Sequence, residues 1–315
     1  MRSVDSHITE YNKILAIDPS APPLIFGETN SLYNQGRPGL SNAFGAALWG
    51  IDFNLYSASV NIRRVHMHMG TNYRVCTPPP AFPQPFPPPF PSSPPTHLLH
   101  IPANNPPQHQ PWQPIDTNIT AKGTKAPYYG SIFVAAFIGP VATAPVSIAH
   151  IPLSSSTEAA YAAYVGSPSS SPAAGAAAAA RTLARIAVLN MNSYNSTVGG
   201  EGLVPLAAGD LPRRQGKNYT FDLGAAAVGK TALVRRLWAN GSDAITGITW
   251  DGWSYSFELD EGRPVRLGNV TVGERVAVAG DGSVTVEVPD SSAVVLDFGR
   301  GAGCKRRREE VVGSL

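Results

Sequence analysis

The stretch PPLIFGETNSLYNQG, residues 22–36, decides how the first part of this chain is read. A short apolar run, Leu24-Ile25-Phe26, passes through Gly27 into Glu28, Thr29, Asn30 and Ser31. Residues 22–28 read as a buried strand that ends on a carboxylate, with an amide and a hydroxyl directly behind it. Downstream, LSNAFGAALWGIDFNLYSASVN (40–61) has helical spacing: Phe44, Leu48, Ile51 and Leu55 share one stripe, and Ser41 is placed to cap the start. IRRVHMHMG (62–70) reads as a second strand ending at Gly70. Strand, helix and strand with short connections make a βαβ unit, which predicts parallel strands.

Working outward, residues 75–111 break the pattern with a density of proline that excludes helix and central strand. Three readings stand for this segment: a flexible linker, a proline-motif ligand, or a retained intron over 75–110, since valine codons begin GT and Gln110 can be encoded CAG. APYYGSIFVAAFIGP (126–140) reads as a helix or buried segment. From about Val141 the texture changes to short apolar or alternating runs, VSIAHIPL, RIAVLNM, NYTFDL, ITWDGWSYSFEL, RVAVAG, SVTVEV and AVVLDF, separated by Gly, Asp, Asn and Pro. That is the pattern of an antiparallel β-sandwich. The low-complexity stretch 166–180 interrupts it as a surface insertion, and the KRRR-containing tail 299–315 reads as a disordered end.

The chain has 315 residues, 43% of them hydrophobic, 15% charged, with a net charge of +2. It can bury a core, but its charge gives no reason to expect nucleic acid or an acidic membrane surface as a partner. No apolar stretch is long enough to span a bilayer. Cys76 and Cys304 make no disulfide framework and do not identify a redox compartment. The first residues lack the apolar centre of a signal peptide. Sequons at Asn118, Asn195, Asn218, Asn240 and Asn269 are nevertheless candidate glycosylation sites.

Several motifs invite other chemistry. GAAAVGKT (224–231) fits the phosphate-binding loop pattern, YTFDL supplies a preceding strand, and ALVRRLWA has helical spacing. Asp297 would be its magnesium-binding acid. Against this, the surroundings are short strands with no further βαβ units, so a turn at Gly229 between strands of a β domain is the preferred reading. His66 and His68 share one strand face, but no third metal ligand has convincing spacing. They are expected to line a site near Glu28. Trp250, Trp253 and Tyr255 form either a sugar-stacking platform or, by preference, part of a core. Neither a metal nor a cofactor is expected.

Glu28 itself has two readings: a surface glutamate at the first loop position, or a catalytic carboxylate at the C-terminal end of a barrel strand. FGETNSLYNQGRPGLSNAFGAALWGIDFNLYSAS, NIRRVHMHMGTNYR and WQPI…KGTKAPYYG together resemble glycoside hydrolase family 79, which contains fungal and bacterial β-glucuronidases and, more distantly, heparanase. The stretch from NYTFDL to LGNVTVGE resembles that family's C-terminal β domain. The resemblance covers most of residues 20–298 apart from the inserts. It implies a (β/α)8 barrel plus a β-sandwich and hydrolysis of β-glucuronides with retention. It also implies Glu28 as nucleophile, with Asn30, Tyr33, His68, Gly70 and Tyr73 lining the sugar pocket, Tyr33 against the uronate carboxylate. The implied partner is a glucuronic-acid-containing carbohydrate, and the implied location is extracellular. Oligomeric state is not readable.

The chain also departs from that pattern. The acid/base glutamate of the family lies in an Asn-Glu pair, and no Asn-Glu dipeptide occurs here. The resemblance places only about the last two barrel strands in this sequence. The expected organisation is a partial barrel over 1–74, the proline-rich insert 75–111, the end of the barrel over 112–140, and the β-sandwich over 141–298. Loss of the general acid, worth about 10²–10⁴ in rate, predicts a chain without useful glucuronidase activity on its own. The alternatives are a non-catalytic carbohydrate-binding or structural β module and, remotely, a nucleotide binder.

Overall fold

The computed structural model describes residues 2–32, 36–69, 110–113, 122–140, 145–166 and 181–299. In chain order these form α1 (Arg2–Ile17), β1 (Phe26–Thr29), α2 (Phe44–Ser59), β2 (Val65–Met67), β3 (Trp112–Gln113), β4 (Gly123–Thr124) and α3 (Ala126–Ile138). There follow β5 (Val146–Ile151), β6 (Glu158–Gly166), β7 (Arg181–Asn190), β8 (Gly216–Asp222), β9 (Thr231–Trp238), β10 (Thr249–Trp250), β11 (Trp253–Ser254), the single-turn α4 (Phe257–Asp260), β12 (Val265–Arg266), β13 (Arg275–Ala277), β14 (Ser283–Pro289) and β15 (Ser292–Asp297). No helix is long and apolar enough to cross a membrane among the described residues.

The stripe Phe44, Leu48, Ile51 and Leu55 is wholly buried, as its spacing predicts. Ser41 does not cap the helix. Ala43 stands at that position without a side-chain bond, and the Ser41 hydroxyl instead accepts from the Arg37 amide at 2.9 Å. The first helical amides, of Phe44 and Gly45, donate to the carbonyls of Ala244 and Ser242 at 2.8 and 2.7 Å. A loop of the distant β region therefore satisfies donors that a helix cannot satisfy internally. α3 packs against α2 where Gly130 meets the backbone of Ala47: a Cβ on Gly130 would lie 2.8 Å from that carbonyl oxygen.

β1 and β2 pair in parallel, as the βαβ reading requires, with Phe26 opposite Val65 and Thr29 opposite Met67. Two steps on β2 match three on β1, so β1 bulges at Gly27-Glu28. The strand is shorter than expected and is not buried; Ile25, just before it, is 48% exposed. Among the described residues the pair has no third strand, and its cover comes from Phe26 against His7 and Phe53.

The β region is a nine-stranded antiparallel sheet ordered β12-β11-β10-β9-β15-β7-β6-β5, with β13 also pairing to β9. One face carries α2 and α3: Phe44, Leu48, Ile51, Tyr129, Phe133 and Phe137 share a core with Tyr161, Ala187, Leu189, Leu237 and Val295. The other face carries the β8–β14 ribbon, whose Tyr219, Phe221, Val284, Val286 and Val288 meet Ile186, Val188, Val234 and Leu296. The sequence texture follows from this layering. β14 alternates Val with polar residues because one side faces water, whereas β15, AVVL, is buried on both sides.

Candidate active site

The bulge in β1 sets the geometry around Glu28. Its carboxylate is 74% exposed and lies 3.5 Å from Nδ1 of His68, just past the end of β2. Asn30 ties the two strand ends together: its side-chain amide donates to the His68 carbonyl at 2.8 Å, while its own oxygen accepts from the Ser31 amide at 2.8 Å. The Ser31 hydroxyl is buried with no hydrogen-bond partner among the described residues. It faces a cavity of about 500 Å³ lined also by Asn30, Trp49, His66, Met69 and Trp112. Glu28 lines a separate hollow of about 310 Å³ with His7, Gly27 and Phe53. Thus Glu28, Asn30 and His68 are brought together, while the larger cavity, which Ser31 lines, is not bordered by Glu28. Tyr33, Gly70, Tyr73, Asn118, Cys76 and Cys304 lie outside the described residues.

Residues 160–295 match the glycosyl hydrolase family 79 C-terminal beta domain. Over that span the chain belongs to family 79. Across 94% of its length it is 47% identical to a β-glucuronidase of Neurospora crassa, and across 94% it is 44% identical to one of Aspergillus niger. The chain spans about half the length of these relatives, 49% and 46% respectively. The solved structure of a 4-O-α-L-rhamnosyl-β-D-glucuronidase from Fusarium oxysporum 12S, with Rha-GlcA, superposes on 93% of this chain and 48% of its own, with a TM-score of 0.59 at 20% identity. That likeness is one of fold.

Within the family 79 β domain, the phosphate-loop motif resolves as a connection between two sheets. β8 belongs to the ribbon and β9 to the large sheet, so GAAAVGKT crosses from one layer to the other rather than closing a hairpin. Thr231 opens a strand where a phosphate loop needs a helix N-terminus. Asp297 is engaged by Arg185 at 3.7 Å. The aromatic trio separates as well. Trp250 is buried edge-on to Phe133 at 5.2 Å and Tyr255 packs on Tyr128 and Tyr129, while Trp253 stays on the surface beneath Arg266. These rings therefore form no single platform, and two of them belong to the core against α3.

Among the sequons, Asn195, Asn218 and Asn240 are exposed. The Asn195 side chain accepts from the Ser242 hydroxyl at 2.5 Å, and Asn269 is held at both ends, accepting from Thr249 at 2.9 Å and donating to the Gly247 carbonyl at 3.2 Å. His66 is exposed on β2, and no group of three or more His, Cys, Asp or Glu suited to a metal occurs among the described residues.

Sequence reasoning missed several buried polar groups. Burial lowers the Lys125 ammonium to about 8. Asp52 sits inside the apolar face of α2, where burial raises its carboxyl, partly offset by the Tyr161 hydroxyl donating at 2.6 Å. Asp243 lies in a loop whose one motif, the sequon at Asn240, gives no sign of a buried carboxylate. For Asp52 a signal existed, a carboxylate between Ile51 and Phe53 on an otherwise apolar stripe.

Proposed function

We propose that this chain carries the nucleophile side of a retaining β-glucuronidase site, with β1, α2, β2 and α3 as the closing part of a (β/α)8 barrel over residues 1–74 and 112–140 and the β-sandwich over 141–298. The observation that carries the reading is the similarity to two β-glucuronidases along nearly the whole chain, with Glu28 at a strand end beside His68. In this mechanism the Glu28 carboxylate attacks the anomeric carbon of a β-glucuronide, and an ester to the sugar forms as the glycosidic oxygen leaves. Asn30 and His68, held beside Glu28, are the described residues placed to meet sugar hydroxyls, and the family resemblance adds Tyr33, Gly70 and Tyr73 as contacts of the uronate. The departing oxygen needs a proton from a second carboxyl about 5 Å away. No Asn-Glu pair in this chain supplies one, so these residues alone do not turn over alkyl glucuronides. The substrate is a glucuronic-acid-containing glycan or glycoconjugate met outside the cell, where Asn195, Asn218 and Asn240 are, among the described residues, exposed sequons for glycosylation.

The test is titration of the isotopically labelled chain with glucuronic acid, paired with an aryl β-glucuronide assay. Amide shifts confined to residues 27–33 and 67–73, with hydrolysis no faster than buffer, are expected. Shifts elsewhere would overturn the site, and turnover abolished by Glu28→Gln would overturn the missing-acid argument.

A further inference from the structure

We propose that Asp243 is a positioning residue for the glucuronide site, acting through the segment that leads from β1 into α2; the substrate part of this proposal rests on the reading of Glu28 given above. Asp243 is 3% exposed, in the loop that follows β9. A carboxylate so buried is tolerated only when hydrogen-bonded. Its oxygens accept from the amides of Ser196 at 3.0 Å and Thr197 at 2.8 Å, and from the Thr197 hydroxyl at 2.5 Å. The Thr197 hydroxyl in turn accepts from the Gly202 amide at 2.9 Å. Gly202, at φ +76°, folds the loop back so tightly that a Cβ there would lie 2.4 Å from the Asp243 carbonyl oxygen. One carboxylate therefore fixes the shape of residues 196–202.

That shape presents the Glu201 carbonyl to Gly39. Gly39 has φ +74°, and a Cβ on it would come within 2.7 Å of the Glu201 oxygen, so the contact needs glycine at this position. On the other flank, the neighbours of Asp243 supply the carbonyls of Ser242 and Ala244 that cap α2 through Gly45 and Phe44. Residues 36–45 are thus gripped from two sides by loops that the same side chain organises. Their own internal bonds, Arg37 amide to the Ser41 hydroxyl and Gly39 amide to the Asn42 side chain, shape a turn but do not place it. In sequence this turn lies between β1, which carries Glu28, and α2. The β domain, through Asp243, therefore fixes the turn that leads into α2.

The experiment compares the whole wild-type chain with Asp243→Ala and Gly39→Ala by hydrogen exchange and by glucuronic acid titration. Loss of these buried bonds in Asp243→Ala is expected to speed exchange about tenfold in both 196–202 and 36–45, and to weaken glucuronic acid binding about fivefold, while β7 and β15 stay protected. Gly39→Ala is expected to loosen 36–45 and weaken binding equally with 196–202 still protected. Faster exchange in 196–202 alone, with 36–45 and affinity unchanged, would reduce Asp243 to a local structural role and overturn the proposal. Should Asp243→Ala unfold β7 and β15 as well, Gly39→Ala decides: unchanged affinity with a loosened 36–45 overturns it. A wild-type chain that does not bind glucuronic acid refutes the reading of the site and the substrate part of this proposal, while the exchange comparison still decides whether Asp243 governs the segment.

Discussion

Asp52 and Tyr161 show how a single polar pair can join two parts of the molecule. The hydroxyl of Tyr161 on β6 donates to the carboxylate of Asp52 on α2 at 2.6 Å inside an apolar layer. Replacing Tyr161 by Phe leaves that carboxylate without its donor and is expected to lower stability by about 1–3 kcal/mol at pH 7. The sign of the pH dependence follows from burial raising the Asp52 carboxyl. The ionised form is the costly one, so its cost is present at neutral pH and is relieved as the pH falls through the raised value. The gap between wild type and Tyr161→Phe in urea melts should therefore narrow toward acid pH; a gap that widens there would contradict the assignment. At this scale the sequence pointed to Glu28 and Asn30, which the fold brings together with His68. It was silent for Asp243, because an Asp in a Gly-Ser-Asp loop looks like any solvated turn until its partners, more than forty residues away, are known.

Elements were legible in proportion to how well their pattern matched one environment. α2 announced itself through its stripe, and β14 through its alternation. β6, EAAYAAYVG, did not, because its alanines carry no β-branched signal and look helical in isolation; pairing with β5 and β7 overrides that preference. The cap of α2 was misassigned for the related reason that a backbone carbonyl from residue 244 leaves no trace in the local sequence. The α2–α3 crossing rests on Gly130, and Gly130→Ala should push the helices apart and cost about 1–3 kcal/mol by overpacking, read as a lower melting temperature. An unchanged melting temperature would show that Ala47 gives way freely. By contrast, Gly166 and Arg181 pair directly in the β6–β7 ladder, so the ends of the 167–180 connection are already held in register. Replacing them by a short turn should leave the fold intact and stabilise it by up to about 1 kcal/mol. A loss of stability would mean the segment packs on the sheet.

At the scale of the whole molecule, the expected antiparallel β region is present, and so is the parallel β1–β2 pair. What the sequence did not convey is that the helices α2 and α3 share one core with the sheet. Phe133 and Phe137 of α3 pack beneath Leu189, Leu237 and Trp250 of the sheet, so helices, sheet and ribbon form three layers. Periodicity reports which side of an element is apolar and not which element it meets, and that is why the two halves read as separate. The layering gives the β domain a direct hold on α2 and α3.

The central claim is that Glu28 is the nucleophile of a glucuronide site, and a 2-fluoro-glucuronyl fluoride tests it most directly. Fluoride leaves without a proton, so the label needs no general acid, and the 2-fluoro group slows hydrolysis of the ester once formed. Mass spectrometry of the treated chain should find one sugar ester, on Glu28, absent from Glu28→Gln and prevented by excess glucuronic acid. An ester on other carboxylates, or no ester on Glu28 under conditions where a full-length relative is labelled, would contradict the account.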